Sequence, residues 1–197
     1  LMTDTTVEVQ FDRACSDLLI NHALDRIVYN AFEQIGPVPV TEEDIAFAAQ
    51  IRRTLPEAAL GTDENSLREY YRCSDLADVI HNREIADILF PLEYVIPEKA
   101  ASTDVGDVSQ ILPVTQIGTT DFAKDTPLHS WQAVAQGKAP LAHKGMLTTG
   151  KVLALAAIDI LQNPDKLIPV KDEFARSWEA APYESPIPEG AQPRLTK

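Results

Sequence analysis

Apolar residues recur at Leu24, Ile27, Val28, Ala31, Phe32 and Ile35, the i, i+3, i+4 spacing of a single helical stripe. Asn21 stands where an N-cap belongs, and Gly36-Pro37 stops the run. After the extended link Val38-Pro39-Val40, Thr41-Glu42-Glu43-Asp44 has the form of a capping box, with acids favoured at the positive end of a helix. Ile45, Ala48, Ile51 and Leu55 carry that second helix to Pro56. Residues 56–66 are turn-rich. Between 67 and 90 two short helices are foreshadowed, one from Leu67, Tyr70 and Tyr71 and one from Leu76, Val79 and Ile80. Phe90-Pro91 and Ile96-Pro97 break anything longer.

Two stretches follow a period of two instead. Residues 5–11 alternate so that Val7, Val9 and Phe11 would face a core, and Val114 to Thr120 is rich in β-branched residues. Both predict strands. The small and polar run 101–109 predicts a tight loop, and Asp125-Thr126-Pro127 a turn. From His143 to Leu161 apolar residues cover nearly every face, which predicts a helix buried inside the domain against a sheet. A second helix runs from Asn163-Pro164 to about Trp178 with Pro169 as an expected kink, and from Pro182 the chain turns irregular.

Composition narrows the function. The 197 residues are 45% hydrophobic and 24% charged, a globular balance. With 17 Lys+Arg against 30 Asp+Glu, the formal charge of −13 argues against a nucleic-acid surface, which needs a concentrated basic patch. No uninterrupted run of about 18 apolar residues suggests a membrane span. Cys15 and Cys73 are too few for a disulfide framework or a cysteine-based zinc site. No basic, apolar leader opens the chain, so a cytoplasmic location is expected.

Candidate chemistry rests on four histidines, His22, His81, His129 and His143, none at a strong metal spacing. His129 follows a proline-containing turn after the second predicted strand, where a rigid scaffold presents side chains to a cleft. Imidazole there suits a divalent metal or proton transfer; it also suits a structural bond to a turn carbonyl. His143 opens the apolar helix, as a substrate contact or as an ordinary first-turn polar residue. Asp104 and Asp107 read as supports for a metal site or as carboxylates bonding their own turn. His22 belongs to a surface turn of the first helix, and His81 carries no assignment.

A family resemblance lies in these residues. Ser102-Thr103-Asp104-Val105-Gly106-Asp107-Val108-Ser109, then Thr126-Pro127-Leu128-His129-Ser130-Trp131-Gln132 and Ala135-Gln136-Gly137, resemble the C-terminal part of the M20 family of metallo-amidohydrolases. Ala142-His143-Lys144-Gly145-Met146 with the long apolar helix, and Leu19-Ile20-Asn21-His22, are similar to the same family, so that the likeness covers most of residues 1–178. It implies an α/β fold: a partial M20-type catalytic domain, a sheet with packed helices, preceded by the last strand of a lid domain. Residues 1–20 would end the lid or dimerisation domain, 21–180 form the C-terminal half of the catalytic domain, and 181–197 a proline-rich tail. It implies a metal-dependent enzyme cleaving the amide of an N-acyl amino acid such as an aroyl-glutamate, with two zinc or manganese ions per site. His129 would be a metal ligand, with His143, Asp104 and Asp107 as contacts to substrate or supports behind the ligand.

The other ligands of such enzymes come from an earlier His-x-Asp-like motif and a Glu-Glu pair, and neither occurs at that place here. The resemblance therefore implies the C-terminal part of a longer enzyme. That part would be inactive and without tightly bound metal by itself, would await the N-terminal part as its partner, and would belong to a homo- or hetero-oligomer. The competing expectation is a non-catalytic binding or assembly module that retains an M20-like half-domain.

Overall fold

The computed structural model describes residues 3, 5–7, 11–92 and 103–192. Eight α-helices account for its regular structure: α1 (His22–Ile35), α2 (Glu42–Arg52), α3 (Thr62–Glu69), α4 (Ser74–Ile80), α5 (Val105–Ser109), α6 (Trp131–Gln136), α7 (Pro140–Gln162) and α8 (Leu167–Ala180). Single 3-10 turns at Glu57–Ala59 and Pro164–Lys166 complete it.

The helix ends follow the local chemistry. The Asn21 carboxamide accepts from the Leu24 N–H, and Gly36, at φ 81°, closes α1 in a conformation open to glycine. Thr41 and Asp44 form the reciprocal capping box of α2. Ile27, Val28, Ala31 and Phe32 of α1 pack with Val152 and Ala156 of α7 and Val170 of α8. A second core gathers Val38, Ala48 and Ile51 with Ile85, Ala123 and Leu141, and a third, under α3 and α4, gathers Leu67, Ala77, Ile80 and Ala86.

No strand occurs among the described residues, which overturns the expected sheet-containing α/β domain. The run Val114–Thr120 is irregular in the structure, with no second segment laddered to it. Its hydroxyls bond outward instead: Thr115 Oγ1 donates to Asp25 Oδ1 at 2.7 Å, Thr120 Oγ1 to the Ala86 carbonyl at 2.7 Å, and the Thr119 and Thr149 hydroxyls lie 3.0 Å apart. β-branched composition favours a pleated surface only where a neighbouring strand supplies one. Of the other predicted strand, residues 5–7 and 11 are irregular and exposed, Val7 at 87%, so no core awaits them. Positions 8–10 lie outside the described residues, as do the Ile96-Pro97 break, positions 101–102 of the small polar run and the last five residues of the tail.

Two further expectations change. The run 103–109 is largely the helical turn α5, not a loop. Its Gly106 has no room for a Cβ, which would overlap the Ser16 carbonyl, and Ser109 Oγ accepts from the Leu19 N–H at 2.8 Å, so that residues 16–19 are clasped to α5. And α7 is not enclosed. Leu141, Gly145, Thr148, Val152 and Ala156 form one buried stripe, with Val152 and Ala156 packed on α1 and Leu141 in the second core, while Met146, Leu147, Leu153, Ile158 and Leu161 face outward. By length and composition alone α7 could cross a membrane. One side of it is the buried stripe, and Lys144 near its start makes an ion pair to Asp44. Pro169 sits in the first turn of α8, where a missing N–H does no harm, so it starts that helix without interrupting it.

Candidate functional site

The loop from Asp121 to Ser130 joins the irregular segment before it to α6, and it is held by an unusual density of buried polar bonds. Gln136, on α6, accepts from the Ala123 N–H at 2.7 Å and donates to Thr126 Oγ1 at 3.2 Å. Lys124 is 2% exposed, with Nζ on Glu64 Oε1 at 2.5 Å and on the Ile80 and His81 carbonyls at 2.9 and 3.0 Å. A lysine this deep requires a carboxylate and further acceptors around its ammonium.

Asp125 has φ 68°, a conformation seldom taken by a residue with a Cβ. Its carboxylate is buried and accepts from Arg52 Nη2 at 2.9 Å and from the Asp63 N–H at 3.0 Å, while its own N–H donates to Asp63 Oδ2 at 2.9 Å. The same guanidinium reaches Glu84 Oε2 at 3.0 Å. Helices α2 and α3 and the turn after α4 thus all grip this loop. Such over-determination is what sustains a strained backbone residue.

Four residues beyond Asp125 stands His129, exposed, with no hydrogen bond to its imidazole among the described residues. Ser130 immediately caps α6, its Oγ accepting from the Ala133 N–H at 3.3 Å. His129 is therefore presented to the outside between a buried anchor and a capped helix.

Beside it lies a cleft of about 510 Å³, lined by Thr126 and Leu128 and by three carboxyls, Asp25, Asp63 and Asp121. Burial pushes all three upward from the usual carboxylate range; hydrogen bonds from Thr115 to Asp25 and from Thr119 to Asp121 oppose it without reversing it. At Asp63 the backbone N–H of Asp125 opposes the rise, and the neighbouring Asp125 and Glu64 charges add to it.

The other candidates lie apart from this arrangement. Asp107 accepts from Ser16 Oγ at 2.8 Å and from the Tyr183 hydroxyl at 2.9 Å, bonds that hold it below the usual carboxylate range. It clasps three segments. Asp104 is exposed beside Thr103, and His143 is exposed in the first turn of α7. No hydrogen bond or ion pair joins any two of His129, His143, Asp104 and Asp107 among the described residues. His22 is exposed, and His81 lies 3.7 Å from Glu64 Oε1. Among the described residues no three His, Cys, Asp or Glu side chains gather where they could hold a metal. A catalytic zinc takes about three protein ligands.

The sequence alone passed over Arg52, Asp63, Glu64 and Lys124. Asp125-Thr126-Pro127 does announce its turn, but nothing local marks Lys124 as buried, because its partner Glu64 is 60 positions away.

Comparison with known proteins adds one relative. The chain is 37% identical, over an alignment of 199 residues, to a subunit of the p-aminobenzoyl-glutamate hydrolase of Escherichia coli strain K12. The alignment takes in 100% of this chain and 41% of that protein, so the chain spans less than half the length of its curated relative. No family model and no solved structure matches the chain. The relationship to a hydrolase thus runs along the whole chain.

Proposed function

We propose that this chain is part of a longer, metal-dependent amidohydrolase that cleaves the amide of an N-acyl amino acid such as an aroyl-glutamate. The observation that carries this reading is the relationship along the entire chain to a p-aminobenzoyl-glutamate hydrolase subunit. Residues 21–180 are then the C-terminal part of the catalytic unit, and residues 1–20 the close of a lid domain. The two cysteines, both free, suit a cytoplasmic setting.

In this reading His129 is the chain's contribution to a site for divalent zinc or manganese, and the remaining ligands lie outside these residues. A pair of such ions, when bound, lowers the pKa of water and stabilises the developing oxyanion. What this chain does is position. The Lys124–Glu64 and Arg52–Asp125 ion pairs fix the loop, the loop aims one imidazole outward, and the adjoining cleft offers an apolar and carboxyl-bearing wall. With one donor of the three needed, residues 1–197 by themselves are expected to be inactive and to hold metal weakly.

The test is release of p-aminobenzoate from p-aminobenzoyl-glutamate by the longer protein with zinc or manganese, before and after chelation, and by residues 1–197 alone. Turnover by the longer protein only, abolished by chelation and restored by metal, is the expected result. Turnover indifferent to chelation overturns the metal reading. No turnover under any metal, by a folded protein, favours the second reading, an assembly module, for which the absence of a three-donor cluster among the described residues is the supporting observation.

A further inference from the structure

Helix α7 carries two apolar faces, and the structure covers only one. At 3.6 residues per turn the side turned away from the stripe buried on α1 carries Met146, Leu147, Leu153, Ala154, Ile158 and Leu161. No charged residue interrupts the middle of that face; Lys144, Lys151 and Asp159 lie at its edge or on the α1 side. Leu161 is 81% exposed and Met146 63%. A continuous apolar strip of this length is more than a single folded chain ordinarily leaves in water, and a helix apolar all round is one covered all round.

We propose that this outer face of α7 is the docking surface for the remainder of a longer hydrolase chain, which brings an apolar surface of its own against it. The occupant is argued from the alignment: the relative continues for more than half its length outside the matched region. A second copy of this chain would bring −13 against −13, a repulsion that opposes close pairing. Lipid around a lone spanning helix would contact it on every side, whereas α7 gives one face to α1 and sets the Lys144–Asp44 ion pair beside it. The inference shares with the proposed function only the existence of a longer chain, and its test does not involve catalysis.

The test is thiol labelling of that longer chain, with Cys15, Cys73 and every other cysteine it carries replaced by Ser and a single probe introduced as Ala154→Cys or, separately, Leu161→Cys. Labelling in native buffer is compared with labelling in denaturant. Both probes should react about 100-fold or more slowly in the native state, as groups reached only through local unfolding, and at a rate independent of protein concentration. Labelling at the denatured rate overturns the proposal. So does protection that disappears on dilution, which assigns the face to a second copy. Protection that appears only with phosphatidylglycerol–phosphatidylethanolamine vesicles likewise overturns it and assigns the face to a membrane. Two probe positions guard against one substitution that fails to fold.

Discussion

Asp44 and Asp63 respond to acid in opposite directions because their surroundings differ. At Asp44 burial works upward, but Lys144 and the N–H and hydroxyl of Thr41 outweigh it and hold the carboxyl below its usual range. The stability it contributes is present above the ordinary carboxyl range and is lost as pH falls through its lowered folded value. Asp63 is raised by burial, so its charged form costs stability at neutral pH, and that cost disappears as pH falls through the raised value. In urea denaturation across a pH series, Asp63→Asn should be more stable than the parent at pH 7, with the gap closing on acidification. Asp44→Asn should flatten the acid limb. A gap for Asp63→Asn that widens on acidification would contradict the assignment. Lys124→Met leaves Glu64 buried without its cation and should cost about 3–5 kcal/mol, part of it recovered when Glu64→Gln is added. Such side chains were not legible in the sequence: a cap bonds within three residues and can be read locally, whereas Lys124 and Glu64 meet only through the fold.

Among the elements, α1 and α2 were legible from their caps and stripes, since Asn21, Gly36, Thr41 and Asp44 act on neighbouring backbone. The run Val114–Thr120 was not, because a strand is a relation between two segments and composition describes only one. Helix α7 was expected to be buried because apolar residues cover nearly every face of it; the structure covers one face and leaves the other exposed. Its crossing with the segment at 120–121 depends on Gly145, where a Cβ would overlap the Asp121 carboxylate and press on the Thr120 carbonyl. Gly145→Val should therefore cost about 1–3 kcal/mol in thermal or urea denaturation. In residues 1–197, Gly150→Ala, on the same helix with open space beside it, should be neutral or slightly stabilising. Equal effects at the two positions would refute the close crossing.

At the scale of the molecule, three small cores and an uncovered helix face suit the proposed reading of a unit that supplies part of a site, with His129 as its contribution. The relationship to a hydrolase was legible in the sequence through its motifs. The separation of Asp104, Asp107 and His143 into unconnected bonding environments was not, because nothing in the motif says which loops share a cleft. The most direct measurement is the metal content and the kcat/KM for p-aminobenzoyl-glutamate of the longer protein carrying His129→Ala, beside His143→Ala. If His129 is a ligand, its loss should remove bound metal and lower kcat/KM by about 100-fold or more, with the thermal stability of the apoprotein unchanged. Full metal content and activity in a folded His129→Ala protein would contradict the account at its centre.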